Sequence, residues 1–366
     1  MLQTTELALL QRTSLPGIST WSRWQPDRAL FFNSFFLKGE ENVLIDPLAL
    51  EETDAQSIAA EGGVAWIVIT TRDHEREAAG LAKRFGAKVA APELDVPEIK
   101  VNVDRKLRDG DVLGRLAVVQ LAGMKSPGEL GLYCRDCETV IVGDALWGDP
   151  PGSLRMVPDQ KLSDPAKAAL SLRRLWALRP KNLLVGDGHC IYGNATQAIG
   201  DYLSTRKDVL IYKINIDELA AWTTRKGPGR FERRQAEIGF FIGAEKLGYQ
   251  LFEIAPGKIA SAMHGHTEEE ELYIVFDGAG TIRFSFGEYP IRKGDFIALP
   301  VGERGTHQLK NTGTSKLVVL ALANEALADC VFYPDSDKLL FARKLMPRMV
   351  SGNNGADLDY WAGENG

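Results

Sequence analysis

The sequence predicts a two-domain protein in which an α/β domain precedes an all-β domain. Up to about residue 207, apolar runs of strand length alternate with stretches of helical period. From about Val209 onward the chain consists almost wholly of short strand-like runs separated by Gly and Pro, which is typical of an antiparallel sandwich or barrel. A length of 366 residues also suits two domains. We therefore expect domains at residues 1–207 and 208–366.

The first half begins with strands and continues in strand–helix–strand order. "FFNSFFLKG" and "NVLIDP" predict a hairpin, and "VAWIVITT" predicts a buried strand. A helix is expected in "EREAAGLAKRFG", ending at Gly86, and a strand follows in "AKVAAP". Later strands are expected in "AVVQLAG", "LGLYC", "TVIVGDALWG" and "NLLVGDG", with a helix in "DPAKAALSLRRLWALRP". "QAIGDYLSTRKDV" predicts a closing helix and a short linker.

The second half opens with "KGPGRFERRQAEIGFFIGAEKLGYQLFEIAPGK", which is expected to supply its first strands. The Arg-rich start of this segment is interpreted as exposed and solvated. In "ELYIVFDG", alternation places Glu271, Tyr273 and Val275 on one face and apolar residues on the other. A strand that is apolar on both faces indicates the wall of a sandwich or barrel.

Three of the five histidines of the chain lie close together in this second half. His264 and His266 are two residues apart, so on one strand they point the same way. Glu271 follows on the next strand, and His307 follows on a later one. Three imidazole nitrogens and one carboxylate oxygen suit a divalent ion such as Fe, Mn, Zn, Ni or Cu. The pattern therefore predicts a metal site.

Turn residues separate these candidate ligands in a regular order. Asp277-Gly278 is expected to close a hairpin after the Glu271 strand, and Gly294, Pro300 and Gly302 precede His307. The alternative interpretation is a solvated acidic run, at residues 268–271, beside incidental histidines. The joint order of ligands, glycines and proline favours the metal site.

These two blocks resemble the two motifs of the cupin superfamily. The resemblance covers all four ligand positions, His264, His266, Glu271 and His307. It implies a small jelly-roll β-barrel that holds one divalent first-row transition metal (Fe, Mn, Zn or Ni) and binds a small molecule. The loop before His307 is longer than the commonest cupin pattern.

The first half resembles the metallo-β-lactamase fold, an αββα sandwich, but with most metal ligands replaced. The segments "NSFFLKGEENVLIDP", "IVITTRDHERE", "SPGELGLYCRDCETVIVGDALWG" and "LLVGDGHC" follow the order of that family's landmarks. Where the family has H-x-H-x-D-H, this chain offers Thr71, Asp73, Glu75 and Arg76, or in another register Asp73 and His74 only.

At the later ligand positions of that family, Lys125 replaces a histidine and Asp144 is retained. Asp187 stands at the final position, with His189 two residues further on. Because basic residues near a ligand position repel a divalent cation, the domain is not expected to be a metallohydrolase.

The remaining polar residues of this half define a candidate vestigial pocket. It comprises Asp73, His74, Asp144, Asp187 and His189. The alternatives are a polar network or small-molecule site, ordinary loop residues at strand ends, or a single-metal site made by His74, Asp144, Asp187 and His189.

Composition limits the partners of the protein. A net charge of −6 without a basic run argues against general binding to nucleic acid or anionic membrane. No apolar run is long enough to span a bilayer, and the start of the chain lacks signal-peptide features, so the expected location is the cytoplasm. Cys134 and Cys137 form C-x-x-C across an expected turn, where free thiols are favoured over redox or metal chemistry.

The leading functional hypothesis is a metal-dependent cupin that acts on or binds a small organic molecule, with oxygenase, isomerase or lyase chemistry. Candidate general bases, chosen only by nearness in the chain, are Tyr273, Glu253 and Gln308. The alternatives are a non-catalytic binding or sensing cupin, and residual hydrolase activity in the first half. The resemblance implies a homodimer, and a C-terminal arm with Tyr360 and Trp361 is expected to dock on its own barrel or on a neighbour.

Overall fold

In a computed structural model, the chain divides into two compact units, Met1–Ile211 and Tyr212–Gly366. The structure describes residues 9–219, 222–244, 246–343, 346–352, 359–364 and 366. The first eight residues, which bear on the predicted absence of a signal peptide, and residues 353–358 of the predicted arm lie outside the described residues. No described helix is both long enough and apolar enough to cross a membrane.

The first unit contains two sheets and four α-helices among its described residues. Its elements are β1 (Gln11–Arg12), β2 (Ile18–Gln25), β3 (Leu30–Leu37), β4 (Val43–Ile45), α1 (Glu52–Ala60), β5 (Trp66–Val68), α2 (Ala78–Phe85), β6 (Lys88–Pro92), β7 (Arg105–Leu107), β8 (Val112–Leu113), β9 (Leu116–Gln120), β10 (Leu130–Cys134), β11 (Thr139–Val142), α3 (Pro165–Ala177), β12 (Asn182–Val185) and α4 (Ala195–Thr205). The sheet orders are β1-β2-β3-β4-β5-β6-β7 and β12-β11-β10-β9-β8.

Three hydrophobic clusters show that these elements form four layers. Apolar side chains of both sheets, among them Phe35 and Leu132, pack between the sheets. A second cluster joins the seven-stranded sheet to α1 and α2, for example through Ile58 and Leu81. A third joins the five-stranded sheet to α3 and α4. The αββα sandwich predicted from the sequence is therefore confirmed.

Two predicted elements of the first unit, a hairpin and a helix, are present, but the helix is shorter than predicted. The predicted hairpin is present, because β3 pairs antiparallel with β4. The predicted helix ends as expected at Gly86, which adopts a left-handed φ of 66°, but it begins only at Ala78. Arg76 has a φ of 41°, a left-handed value that a right-handed helix cannot contain. The predicted start of this helix, at Glu75, is thus wrong.

The second unit is almost entirely β-structure. Its elements are β13 (Thr223–Lys226), β14 (Glu232–Glu237), α5 (Ile238–Phe241), β15 (Leu247–Ile254), β16 (Gly265–His266), β17 (Glu271–Asp277), β18 (Ala279–Phe284), β19 (Gly287–Arg292), β20 (Phe296–Leu299), β21 (His307–Lys310), β22 (Leu317–Asn324), β23 (Ala328–Tyr333), β24 (Lys338–Arg343) and β25 (Met346–Gly352). They form sheets in the orders β13-β14-β15-β22-β17-β20, β16-β23-β24-β25 and β19-β18-β21.

The core of this unit lies between the six-stranded and three-stranded sheets. Phe252, Val275 and Val319 from the first pack with Ile282 and Leu309 from the second. This arrangement is the all-β sandwich that the short strands predicted.

The predicted hairpin at Asp277-Gly278 is wrong. β17 pairs with β20 and β22, whereas β18 pairs with β19 and β21, so the chain changes sheets at this turn. Gly278 has a φ of 82°, and a Cβ atom there would lie 2.4 Å from the carbonyl oxygen of Lys316. Glycine at this turn therefore allows the chain to pass close to the start of β22. The turn residues alone do not distinguish such a passage between two sheets from a hairpin.

The described part of the C-terminal segment docks on its own domain. The Trp361 ring packs against Phe231 with centroids 5.1 Å apart, and the Tyr360 ring meets Tyr333 edge-on at 5.8 Å. Lys338, which is only 2% exposed, donates from Nζ to the backbone oxygen of Tyr360 at 2.7 Å. The same ammonium forms an ion pair with Glu364 at 3.0 Å.

Candidate functional site

The four predicted ligand residues of the C-terminal domain meet at one place. His264, His266 and Glu271 each offer a ligand atom within 4.8 Å of the others. His307 Nε2 lies 3.4 Å from Glu271 Oε2, and the His307 and His264 rings have centroids 4.5 Å apart. We refer to these four residues as the His–Glu cluster.

Three separate strands bring the cluster together. Glu271 is the first residue of β17 and His307 is the first residue of β21, while His266 ends the short strand β16. His264 lies just before β16, where its backbone exchanges two hydrogen bonds with the backbone of His307, at 3.1 and 2.8 Å. The ligands therefore stand on strand ends, where backbone pairing holds them in place.

Each histidine of the cluster has its Nδ1 atom engaged by an acceptor. His264 and His307 each donate from Nδ1 to the backbone carbonyl oxygen two residues earlier, at 2.9 Å. His266 donates from Nδ1 to Asp329 Oδ2 at 2.6 Å. An imidazole that donates from Nδ1 presents a lone pair on Nε2, which is the form that binds metals.

Asp329 is a residue that the sequence reasoning missed. It is 6% exposed, and it also accepts hydrogen bonds from Thr267 and from the Glu268 backbone. Burial alone would raise the pKa of Asp329, but the hydrogen bonds from His266 and Glu268 outweigh it and lower that pKa to about 2. The only signal in the sequence is an acidic residue inside the apolar strand β23.

Two buried atoms of the cluster have no hydrogen-bond partner. They are His266 Nε2 and Glu271 Oε2, which lie 3.6 Å apart. Buried polar atoms are nearly always hydrogen-bonded, so an unpartnered imidazole nitrogen beside an unpartnered carboxylate oxygen is an arrangement that could hold a cation. The residues present therefore fit one divalent metal.

Electrostatics also prepare two of the histidines for metal binding. Burial, together with the neighbouring His307 and His266, lowers the pKa of His264 well below its usual value. Burial likewise lowers the pKa of His307. For His266, burial opposes the charged form, but the hydrogen bond to Asp329 and the charge of Glu271 raise its pKa. His264 and His307 are therefore neutral at neutral pH, as metal ligation requires.

Of the three candidate general bases, only Tyr273 contacts the cluster. Its hydroxyl lies 2.9 Å from His307 Nε2. Glu253 instead pairs with Arg234 at 3.1 Å and with Lys316. Gln308 donates to a backbone carbonyl at 3.2 Å. Burial raises the pKa of Tyr273 well above its usual value, so this phenol stays protonated and acts as a donor.

The vestigial pocket of the N-terminal domain lies where two pairs of parallel strands end, namely β4 with β5 and β11 with β12. Asp46 follows β4, His74 follows β5, Asp144 follows β11 and Asp187 follows β12. His74 Nδ1 lies 2.9 Å from Asp46 Oδ2, while His74 Nε2 lies 3.6 Å from Asp144 and 3.9 Å from Asp187. By distance alone, His74, Asp144 and Asp187 could hold a metal ion.

Arg76 extends into the middle of this group. Its Nη2 atom lies 3.3 Å from His74 Nε2 and 3.5 Å from Asp187 Oδ1. Its Nη1 atom donates to the backbone oxygens of Asn33 and Asp46, at 2.6 and 3.0 Å. The left-handed backbone of Arg76 directs the guanidinium to a position that the sequence pattern could not indicate.

The other two predicted pocket residues lie apart from this group. Asp73 is exposed and pairs with Lys125 at 2.7 Å, and the same Lys125 lies 3.8 Å from Asp144. His189 is exposed, and its ring faces Phe31 at 6.0 Å. The structure thus brings together His74, Asp144 and Asp187 but neither Asp73 nor His189.

The stability of the N-terminal domain should fall as pH rises from about 6.5 to about 10. Burial and the charge of Arg76 oppose protonation of His74, yet the carboxylates of Asp46 and Asp144 outweigh them and raise its pKa to about 10. A raised pKa means that folding binds a proton, so its contribution is complete below the usual value of 6.5 and is lost above the folded value.

The measurement compares the unfolding free energy of wild type and His74→Gln across this pH range. The difference between the two proteins isolates residue 74, because their other titrating groups are the same. We expect the advantage of wild type to shrink with rising pH. A difference that stays constant between pH 6.5 and pH 10 contradicts a charged His74.

Comparisons with known proteins agree with both folds. The family model of the Metallo-beta-lactamase superfamily matches residues 10–205 of this chain. The family model of the Cupin domain matches residues 250–323. No curated protein matches this chain significantly.

Solved structures similar to this chain come from both families. A putative sugar phosphate isomerase from Acidithiobacillus ferrooxidans is 27% identical, with a TM-score of 0.37, over 41% of this chain and 97% of that one. A cupin-superfamily sugar phosphate isomerase from Silicibacter pomeroyi is 24% identical, with a TM-score of 0.37, over 40% and 96%. A metallo-beta-lactamase family protein from Thermus thermophilus is 18% identical, with a TM-score of 0.43, over 57% and 85%.

These findings confirm the predicted fold class, an α/β domain followed by an all-β domain. The family matches fall within the two compact units that the described residues form. The protein therefore belongs to the metallo-β-lactamase superfamily through residues 10–205, more than half of its length, and carries a cupin domain at residues 250–323.

Proposed function

We propose that the cupin domain binds one divalent first-row transition metal through the His–Glu cluster and uses it to bind and transform a small organic molecule. The observation that carries this proposal is the pair of buried, unpartnered atoms His266 Nε2 and Glu271 Oε2. The engaged Nδ1 atoms of all three histidines support it, because they leave Nε2 as the nitrogen of each ring that can bind a metal.

Three nitrogens and one oxygen suit Fe, Mn, Zn or Ni. A metal in such a site supplies Lewis acidity, which polarises a carbonyl, hydroxyl or carboxylate oxygen of the ligand. The role of the protein is to hold His264, His266, Glu271 and His307 in one arrangement and to keep the site dry.

Tyr273 is the described residue best placed to handle a proton beside the cluster. It is 3% exposed, and its hydroxyl now donates to His307 Nε2. If His307 Nε2 binds the metal, that hydroxyl loses its acceptor and can donate to an oxygen atom of the ligand instead. A protonated phenol with this freedom favours catalysis, such as isomerase or lyase chemistry, over a purely binding cupin.

For the N-terminal domain, we infer that the vestigial pocket holds no divalent metal. Ligand atoms lie roughly 2.0–2.2 Å from a bound zinc ion. An ion at that distance from His74 Nε2 and Asp187 Oδ1 would lie beside the positively charged Arg76 Nη2, which is 3.3 and 3.5 Å from the same atoms and would repel it. Arg76 thus supplies the positive charge that a metal would otherwise supply, which argues against hydrolase activity.

Metal content tests both the metal site in the His–Glu cluster and the absence of a divalent metal from the vestigial pocket. Wild type, His264→Ala, Glu271→Gln and His74→Ala are purified without added metal, and their first-row metals are measured by elemental analysis. We expect about one metal per chain in wild type and in His74→Ala, since three nitrogen ligands and one carboxylate form a complete protein site. We expect a loss of most metal in the other two variants.

His264→Ala and His74→Ala form a matched pair, because each removes one histidine from one of the two domains. Full metal content in both His264→Ala and Glu271→Gln would overturn the assignment of the His–Glu cluster. Metal that disappears only in His74→Ala would show that the vestigial pocket binds ions despite Arg76. Circular dichroism on each variant distinguishes metal loss from unfolding.

The small-molecule partner, the homodimer and the cytoplasmic location stay predictions. Light scattering after size-exclusion chromatography checks the homodimer directly. An apparent mass of one chain, 40.2 kDa, would contradict it.

A further inference from the structure

Arg233 is a buried cation in the cupin domain, where the sequence predicted a solvated Arg-rich segment. It lies on β14 and is only 8% exposed, whereas its neighbour Arg234 is exposed and pairs with Glu253. Strand alternation turns these two arginines to opposite faces of the sheet. The prediction of a solvated segment is therefore wrong for Arg233, because one of the two faces forms the domain interior.

Few contacts compensate the charge of Arg233. Its Nε atom donates to Gln235 Oε1 at 2.7 Å, and Nη1 lies 3.5 Å from the backbone oxygen of Ala260. The guanidinium carbon lies 4.1 Å from the centroid of the Phe252 ring. Within the described residues, no carboxylate oxygen lies within 4.0 Å of Arg233, and Nη2 makes no hydrogen bond.

A buried guanidinium without a counter-ion is energetically costly. No ion pair in the described part of the chain involves Arg233. Buried Arg76 and Lys338, in contrast, each have a carboxylate partner. Arg233 is thus a desolvated cation with donors to spare, which is the chemistry of an anion-binding group.

Packing connects Arg233 to the His–Glu cluster. The Phe252 ring beneath the guanidinium meets the Tyr273 ring edge-on, with centroids 6.2 Å apart. Tyr273 in turn contacts His307 Nε2 at 2.9 Å. Two successive ring contacts therefore join the guanidinium of Arg233 to Tyr273, the residue that touches the cluster.

We propose that Arg233 binds a carboxylate group of the small-molecule ligand. The other oxygen atoms of the same ligand then face the His–Glu cluster. This inference rests on the proposed metal site. One guanidinium matches a carboxylate in charge and in its two-pronged geometry, whereas a phosphate dianion calls for a second cation. Of Arg225 and Arg233, only Arg233 is buried in the domain interior, whereas Arg225 has its guanidinium stacked on the Tyr360 ring at 4.1 Å.

The test uses protein loaded with Co²⁺, whose visible spectrum reports on ligands near the metal. Malonate, succinate and glutarate are titrated in turn, because the ligand length that spans the two groups is not fixed. We expect at least one of them to bind wild type. Its affinity should fall by about 10- to 100-fold in Arg233→Gln, since bidentate charge-assisted bonds are lost. The monoamide of the same acid should bind wild type about 10- to 100-fold more weakly than the dicarboxylate does.

Arg234→Gln is the matched control, because it removes the adjacent arginine from the exposed face of the same strand. It should change the affinity by less than about two-fold, as expected of an exposed ion pair. Arg233→Lys keeps the charge without the planar fork, and it should weaken binding by about five-fold or more. This variant decides the question if Arg233→Gln does not fold.

Several outcomes overturn the inference. One is unchanged affinity in either folded Arg233 variant, and another is a failure of all three dicarboxylates to bind wild type. Inorganic phosphate that binds through Arg233, with no dicarboxylate binding, would reassign the anion and overturn the carboxylate. Metal content is measured on the same samples. Wild type that cannot be loaded with metal refutes the metal site itself, whereas loaded protein with Arg233-independent binding refutes only this inference.

Discussion

Replacing Arg76 with methionine is expected to lower the unfolding free energy of the N-terminal domain by about 3–5 kcal/mol, the usual cost of removing one partner from a buried ionic group. Arg76 is the buried cation nearest to Asp187, at 3.5 Å, and it also donates to the backbone after β4. Asp187 is 1% exposed, and burial with the charge of Asp144 already raises its pKa to about 6.

Without the guanidinium, these carboxylates repel each other in a site that water reaches poorly. Methionine preserves much of the volume of the side chain, so the loss reports on charge and hydrogen bonds more than on a cavity. Hydrogen exchange of peptides covering residues 66–92 measures the local unfolding free energy in this region.

Arg84→Met is the matched control for Arg76→Met. Arg84 is an exposed residue on α2, and its ion pair with Glu52 is fully solvated. Exposed pairs contribute about 0–1 kcal/mol, so this variant should behave almost like wild type. A loss below about 1 kcal/mol in Arg76→Met would contradict the view that its guanidinium holds the pocket together.

Replacing Asp329 with asparagine is expected to weaken metal binding by the cupin domain by about 10- to 100-fold. Asp329 Oδ2 accepts the Nδ1 proton of His266 at 2.6 Å, which orients the ring and makes Nε2 a better electron donor. Asparagine has nearly the same shape but no charge, and its amide group can turn a second donor toward His266. The ring then loses its fixed orientation and part of its basicity.

Competition with a chromophoric chelator measures this affinity in wild type and variant. Asp335→Asn serves as the control, because Asp335 is an exposed partner of Arg283 in the same domain. The control should retain wild-type affinity. An Asp329→Asn protein that binds metal within about three-fold of wild type would show that the carboxylate does not tune His266.

Sequence reasoning worked best where function depends on short-range spacing. His264, His266 and Glu271 lie within one short segment, and each offers a ligand atom within 4.8 Å of the others. His307 was found because a regular order of glycines and proline precedes it. The two fold classes followed from the change between strand–helix alternation and short strands, whereas the αββα sandwich and the jelly-roll barrel were implied by the family resemblances.

The residues that complete both sites could not be found in this way, because they come from distant parts of the chain. Asp329 reaches His266 across 63 positions, and Asp46 reaches His74 across 28. A single polar residue at such a separation leaves no periodic pattern. Arg233 was misjudged because alternation gives two faces, and only the sheet packing shows which one is interior.

The docked C-terminal segment has a practical consequence for anyone who shortens or tags this protein. The ammonium of Lys338 is compensated by Glu364 at 3.0 Å and by the backbone of Tyr360 at 2.7 Å. Deleting the last eight residues would leave a positive charge stranded in an apolar interior and uncover the Phe231 ring. Residues 359–364 thus complete the packing around Phe231 and Lys338, and a truncation that removes them should destabilise the cupin domain.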